Sequence, residues 1–293
     1  MRSTSAWYRH SLSLLYMRPA LRQRRRIIAS HWRCASVPGR SDACPPMTPQ
    51  TPLDQAAALL RSARYAVALT GAGISTPSGI PDFRSPNSGL WSQHDPFEVA
   101  SMVGFRYNPR SFFDWIRPLA RRMLEAQPNP AHIALARLEA LGIIRSVITQ
   151  NIDMLHTRAG SRQVYEVHGH MRLATCVECF AEVETESFIW RFIEEGDIPR
   201  CAGCGGVLKP NVILFGEALP IRVLRAAQRE ARICDVMLIA GSSLEVAPVS
   251  DLPIIAKAHG AQLIVVNYDE TFVDDDAAVV IHDDVATVLP RLV

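Results

Sequence analysis

Four cysteines in two matched knuckles, Cys176-x-x-Cys179 and Cys201-x-x-Cys204, constrain this 293-residue chain more than any other feature. Each knuckle offers two thiolates at the spacing a tetrahedral ion requires. Four sulfurs fill the coordination sphere of one zinc ion and leave no position for water, so the metal is expected to be structural. A redox pair is the weaker reading, because two knuckles are matched. Cys34, Cys44 and Cys234 fall in no partner pattern, which indicates metal binding in a reducing compartment and not a disulfide framework. Zinc ribbons can also bind DNA. Here the 21 residues between the knuckles include Glu182, Glu184, Glu186, Glu194 and Glu195, which oppose phosphate.

A second stretch carries the ligand chemistry. The apolar run Tyr65 to Leu69 suits a buried strand, and Thr70 to Arg84 follows it as Thr-Gly-Ala-Gly-Ile-Ser-Thr-Pro-Ser-Gly-Ile-Pro-Asp-Phe-Arg. Gly71 and Gly73 allow a diphosphate to approach the main chain, and the start of a following helix would supply amide donors. The strict dinucleotide fingerprint is incomplete, with Thr76 in place of its third glycine. Gly79-Ile80-Pro81-Asp82-Phe83-Arg84 cannot continue a helix and is expected to leave as a shaped loop.

Helical spacing is visible at Leu53 to Arg64, Pro109 to Ala126, Ala131 to Leu141 and Arg222 to Arg232. In the second of these, Phe112, Phe113, Ile116 and Leu119 fall near one face. Pro86 to Asn108 reads as a long irregular loop, expected to act as a mobile flap. Apolar strands are expected near Ile144 to Ile148, Val164 to Val167, Val212 to Leu214, Val236 to Ala240, Gln262 to Val266 and Val279 to Ile281. Several end in polar clusters: Thr149-Gln150-Asn151-Ile152-Asp153, His168-Gly169-His170, Gly241-Ser242-Ser243 and Asn267-Tyr268. Alternating helices and doubly apolar strands with polar C-terminal ends predict an α/β fold. Its core is a doubly wound parallel, Rossmann-type sheet, with a smaller zinc-ribbon plus helical insert domain. The sheet domain is assigned to residues 50–170 and 208–293, the helical insert to about 85–130, and the ribbon to 171–207.

Charge is unevenly placed. Nine Arg and one Asp put +8 in residues 1–46, so the remaining 247 residues carry −6 against the overall +2. The body gives no reason to expect nucleic-acid binding, and no apolar run reaches membrane-spanning length. The Arg-rich residues 1–49 fit a start assigned upstream of Met47, an organelle transit peptide, or a nucleic-acid tail, in that order of preference. A cytoplasmic protein is expected, or a mitochondrial matrix one if this segment is a transit peptide.

Together these motifs, from about Thr51 to the C-terminus, resemble the sirtuin family of NAD-dependent protein deacylases. The resemblance implies NAD as co-substrate, one structural zinc ion and acyl-lysine peptides as partners. It assigns the general base to His168, a group suited to that role by an imidazole that titrates near neutrality. His170, His132 and His156 are left as bystanders or structural groups. It places Asp153 on the nicotinamide carboxamide and Asn151 on the ribose or a water, with Gln150 and Ile152 beside them. Gly71, Ala72, Gly73, Thr76, Asp82, Phe83 and Arg84 surround the diphosphate and nicotinamide, with Phe83 shielding the reacting carbon. Gly241, Ser242, Ser243, Asn267, Tyr268, Asp284 and Val285 follow toward the adenosine. Val212, Ile213, Phe215, Gly216 and Glu217 pair with a substrate peptide, and Glu245 and Val246 flank it from the other side.

In the reaction so implied, the acyl oxygen attacks the anomeric carbon as nicotinamide leaves. His168 then takes a proton from a ribose hydroxyl, and the acyl group ends on ADP-ribose. Relatives that remove acidic acyl groups carry a Tyr-x-x-Arg pair, and the matching positions here are Ile116 and Leu119. Acetyl or a longer neutral acyl group is therefore expected. Mono-ADP-ribosyl transfer, and a silent NAD-sensing or nucleic-acid-binding module, are the alternatives. The Asn151, Asp153 and His168 set favours catalysis over the last.

Overall fold

The computed structural model describes residues 51–83, 89–92 and 94–293. The Arg-rich segment 1–49 lies outside the described residues. So do Arg84 and the start of the expected flap.

Strand β1 (Ala66–Thr70) is completely buried and lies at the centre of a six-stranded sheet. Its neighbours are β2 (Ile144–Thr149) and, beyond it, β3 (Val164–Glu166). Strands β4 (Gly169–Cys176), β5 (Glu182–Glu184) and β6 (Leu208–Val212) form a separate three-stranded antiparallel sheet, ordered β5-β4-β6. The chain then returns to the large sheet through β7 (Val236–Ala240), β8 (Gln262–Val266) and β9 (Val279–Ile281). The large sheet runs β3-β2-β1-β7-β8-β9, with every pairing parallel.

Both faces of this sheet are covered, which is why its strands read as unbroken apolar runs. Ala66, Ala68, Leu238 and Ile264 pack with Ala56 and Leu60 of helix Pro52–Ser62 and Leu135 and Leu138 of helix Pro130–Ala140. Val67, Leu69, Ile239 and Val265 face helices Ile221–Ile233 and Leu252–Ala258 through Ala227, Ala231, Leu252 and Ala256. Each such Leu or Ile contributes roughly 1.5–3 kcal/mol of burial, so the two apolar layers dominate the stability of the fold. Strand order reverses at β1, whose two neighbours lead away in opposite directions. A ligand crevice therefore opens at the C-terminal ends of β1 and β7.

Three local expectations are corrected. The glycine-rich stretch does not start a regular helix. It makes two short 3₁₀ turns, Ala72–Ile74 and Thr76–Ser78, because Pro77 and Gly79 (φ +85°) stop propagation. The segment 96–108 is not irregular but forms helices Pro96–Val99 and Met102–Tyr107, capped by Asp95 and Ser101. Strands β4 and β5 begin or lie where no strand was expected, and β6 ends at Val212 instead of running Val212 to Leu214, having formed across Lys209, Pro210 and Asn211, which break any apolar run. Pro210 is tolerated because β6 is an edge strand.

Helix Pro109–Glu125 buries Phe112, Phe113, Ile116, Leu119 and Met123 against Phe192 and Ile193 of helix Ile189–Glu195, and the expected face is the one that packs. Arg117 reaches across with it, donating from Nε to Ile193 O (2.8 Å) and from Nη2 to Glu194 O (2.7 Å).

Candidate active site

The loops after β1 and β7 touch through their backbones. Gly73 N donates to Gly241 O at 2.9 Å. A Cβ on Gly73 would stand 2.9 Å from Gly241 O, and one on Gly241, whose φ is +61°, would stand 2.3 Å from Ile74 N. These glycines are required by the packing of loop on loop, as well as by any phosphate approach. Gly73→Ala is expected to cost about 1–3 kcal/mol as overpacking and to lower the thermal midpoint by several degrees. An unchanged midpoint in calorimetry would show that the two loops can part freely.

Around this contact lies a cavity of about 230 Å³. Gly71, Ala72, Gly73, Thr76, Asp82, Phe83 and Gln150 line one side, and Gly241, Ser242, Ser243, Glu245, Val246, Asn267 and Tyr268 the other. Asp269 and Glu270 join them, which the sequence reading missed. Gln150 Nε2 donates to Ser242 Oγ (2.9 Å), tying the two sides together. The described lining contains no Lys or Arg, so an anion here would rest on backbone amides. Asp284 and Val285 are not on this wall. Asp284 caps the short helix Val285–Val288 by accepting from Ala286 N (2.8 Å), and Val285 is buried in the core beneath.

Next to it is a small recess lined by Ala72, Ser75, Ile80, Phe83, Asn151, Ile152 and Asp153. Asp153 is only 4% exposed, and burial raises its pKa against the hydrogen bonds that lower it. Those bonds come from Ser75 Oγ (2.6 Å) and Leu155 N (2.9 Å). Asn151 Nδ2 donates to Gly71 O (2.9 Å) and Ser75 Oγ (3.1 Å). Ser75 is therefore the hub of the recess. Nothing in the sequence singles it out within the glycine-rich stretch, and only the fold brings it to Asp153, 78 positions on. His132 and His156 lie behind this network, edge to face with centroids 4.9 Å apart. Burial pushes His132 down to about 4 and His156 well below the usual imidazole range, which fits neutral structural groups.

A third cavity, of about 270 Å³, holds His168. Its other walls are Phe83, Trp91, Phe112, Trp115, Ile116, Gln150, Asn151, Ile152, the run Val212 to Glu217, Leu219, Val246 and Ala247. Phe83 lines all three cavities, and Asn151 lines the recess and this chamber. The aromatic wall was not foreseen: Trp91 stacks on Trp115 (5.6 Å) and sits against Phe83 (5.1 Å) and Phe215 (6.1 Å). Ile116 lines the chamber, whereas Arg117 is engaged at the helix Ile189–Glu195 carbonyls. His168 Nδ1 lies 3.1 Å from Gln150 O. A carbonyl can only accept, so Nδ1 carries the proton and Nε2 is the basic nitrogen. Glu217 turns its carboxylate to Lys209 Nζ (3.0 Å) and Leu214 N (3.0 Å), so it shapes the loop that Val212, Ile213, Phe215 and Gly216 present.

In the small sheet, Cys176 and Cys204 have Sγ atoms 3.4 Å apart, and Cys179 and Cys201 3.7 Å. All four sulfurs lie within 4.8 Å of one another. Tetrahedral zinc with Zn–S near 2.3 Å needs sulfurs about 3.8 Å apart, so the donors fit the ion. Backbone amides, Cys179 N foremost, bring Cys176 down to about 7, and Gly203 N leads in lowering Cys201. At Cys204 the lowering by Gly206 N is outweighed by bonding with Cys176 and Cys179, and the thiol is pushed up to about 12. Four thiolates cannot share this space without a cation.

A switch-point crevice beside an acid-amide recess and an apolar chamber with a histidine is the layout of a nucleotide-binding α/β enzyme, here with a four-cysteine ribbon. The Sir2 family model matches residues 71–248, and the chain belongs to the Sir2 family. It is 48% identical over 240 residues to NAD-dependent protein deacylase 2 of Archaeoglobus fulgidus, covering 82% of this chain and 94% of that one. It is similar to a Sir2 structure holding a p53 peptide and NAD+ (41% identity, TM-score 0.75, 82% and 96% of the two chains). It is also similar to a Sir2 structure bound to a myristoylated histone peptide (42% identity, TM-score 0.71, 82% and 94%).

Proposed function

We propose that the chain is an NAD-dependent protein-lysine deacylase that moves a neutral acyl group from lysine to ADP-ribose and releases nicotinamide. One observation carries this: Phe83 is the shared wall of the nucleotide crevice, the Asp153 recess and the His168 chamber. The dinucleotide supplies a sugar carbon with a good leaving group. In this reading Asp153 and Asn151 hold the carboxamide and orient the sugar. Nε2 of His168 then takes a hydroxyl proton, while Phe83 with Trp91 and Trp115 keeps water from the reacting atoms. Val212 to Gly216 and Val246 supply the two sides of a peptide slot. Cys176, Cys179, Cys201 and Cys204 would hold one zinc ion that fixes the ribbon and takes no part in the chemistry. The −6 body and the crevice without described cations speak against nucleic-acid binding. No described helix is long and apolar enough to cross a membrane. The thiol cluster favours a reducing compartment, the cytoplasm.

The test is nicotinamide release from NAD with acetyl-lysine and succinyl-lysine versions of one peptide. Peptide-dependent release with acyl-ADP-ribose as product is expected. The chamber sets no described cation opposite an acidic acyl group, so acetyl-lysine should turn over at least about tenfold faster than succinyl-lysine. Equal turnover of the two would refute the neutral-acyl assignment. ADP-ribose left on protein would favour the transferase reading, and NAD binding without release a silent module.

A further inference from the structure

His168 lies where the chain crosses from the large sheet to the small one, between β3 and β4. Its backbone is held by Val167 N on Thr149 O (3.0 Å) and by Ile213 N on His168 O (2.9 Å). Gly169, at φ +78°, makes the turn, and any Cβ there would fall 2.0 Å from Asn211 O. Beyond it the β6 ladder lapses, and Thr185 Oγ1 donates to Met171 O (2.6 Å) and Arg172 O (3.0 Å) instead. Pairing of β4 with β6 is present at Gly169 and resumes only at Ala174, so the residues that leave the turn lack that ladder. His170, the first of them, offers no substitute at its buried Nδ1, which has no hydrogen-bond partner.

The gap is bridged by an ion pair. Arg172 forks onto the carboxylate of Glu166, with Nη1 on Oε1 at 2.8 Å and Nη2 on Oε2. The Glu166 side chain is 10% exposed, and a bidentate guanidinium–carboxylate pair fixes direction as well as distance. Glu166 is the last residue of β3, two before His168, and Arg172 stands four beyond it. The pair thus clips the strand that enters the turn to the strand that leaves it. The other crossing between the sheets has its own clip, Lys209 to Glu217, which shapes the facing wall of the same chamber.

We propose that the Glu166–Arg172 ion pair is a positioning device for the base: it sets where the His168 imidazole stands over the chamber. The proposal rests on the deacylase reading, because it predicts which half of that reaction suffers. Nicotinamide loss needs the dinucleotide and the acyl oxygen in place, but not the base. Acyl transfer needs the proton taken at His168 Nε2. A base displaced by a fraction of an ångström therefore slows the second half alone.

The experiment uses the full chain and compares Arg172→Ala, Arg172→Lys and the exchanged pair Glu166→Arg with Arg172→Glu against wild type. Two rates are read on one acetyl-lysine peptide: exchange of labelled nicotinamide into NAD, and formation of acyl-ADP-ribose. Arg172→Ala is expected to slow product formation about ten- to a hundredfold, with exchange held within about twofold. Arg172→Lys, which keeps the charge and loses the fork, should fall between, and the exchanged pair should recover most of the lost rate. Arg121→Ala, which breaks the exposed pair with Glu194, serves as the control and should leave the ratio of the two rates unchanged. Both rates falling together in Arg172→Ala and Arg172→Lys, neither changing, or no recovery in the exchanged pair would overturn the proposal. A wild-type chain without peptide-dependent nicotinamide release would instead sink the deacylase reading on which it rests.

Discussion

Acyl-ADP-ribose formation is expected to fall by about 10²–10⁴-fold when His168 is replaced by Ala, the usual contribution of a positioned general base. The Gln150 carbonyl holds the proton on Nδ1 and so commits Nε2 to accepting one. Among the described residues, no other imidazole lines the chamber. His132 and His156 are buried behind Ser75 and Thr70 and are held neutral, and His170 lines the neighbouring groove instead of the chamber. Labelled nicotinamide should still exchange into NAD in the His168→Ala chain, because Asp153, Asn151 and Phe83 are untouched. A variant that keeps product formation would remove His168 from the mechanism. One that loses exchange as strongly as product would make it a binding residue.

Zinc removal carries the second large effect. The ribbon's own core consists of Ala174, Cys176, Cys201 and Leu208, with Val183 and Phe188 packed against it, which is too little apolar surface to order three short strands. Metal binding at such a site is worth on the order of 10–16 kcal/mol at neutral pH, so the ion and not the core sets the ribbon's stability. Strand β6 runs from this cluster directly into Val212 and the chamber wall, and β4 starts at Gly169 beside His168. Chelation, or Cys176→Ser together with Cys201→Ser, is therefore expected to abolish activity. Protection of β4 and β6 amides from hydrogen exchange should be lost, while β1, β7 and β8 stay protected. Full activity after verified removal of the metal would contradict this account.

The large sheet was legible because its strands are buried on both faces. Val236–Ala240, Gln262–Val266 and Val279–Ile281 form with the limits their apolar runs imply. The metal ligands were legible because tetrahedral coordination repeats a short local spacing, and the sulfurs meet as that spacing requires. The polar strand ends were visible for the same reason: in a parallel sheet, loops at one end must line the crevice. These features follow from local pattern, and the chain alone determines them.

Tertiary structure decided the rest. Ser75 matters through a carboxylate 78 positions away, and Trp91 and Trp115 through a stack that no periodicity announces. The small sheet escaped notice because its strands are gathered around a four-cysteine cluster and antiparallel partners, so no apolar run marks them. Asp284, expected toward the adenosine, also caps a short helix by accepting from Ala286 N, a role its local sequence does not announce. Arg117 stands one residue from Ile116 and could have charged the chamber, yet successive helical positions point about 100° apart. Ile116 therefore lines the chamber, and Arg117 meets the carbonyls of the neighbouring helix. Sequence determined which groups the protein possesses; the packing of distant segments decided which of them face the same space.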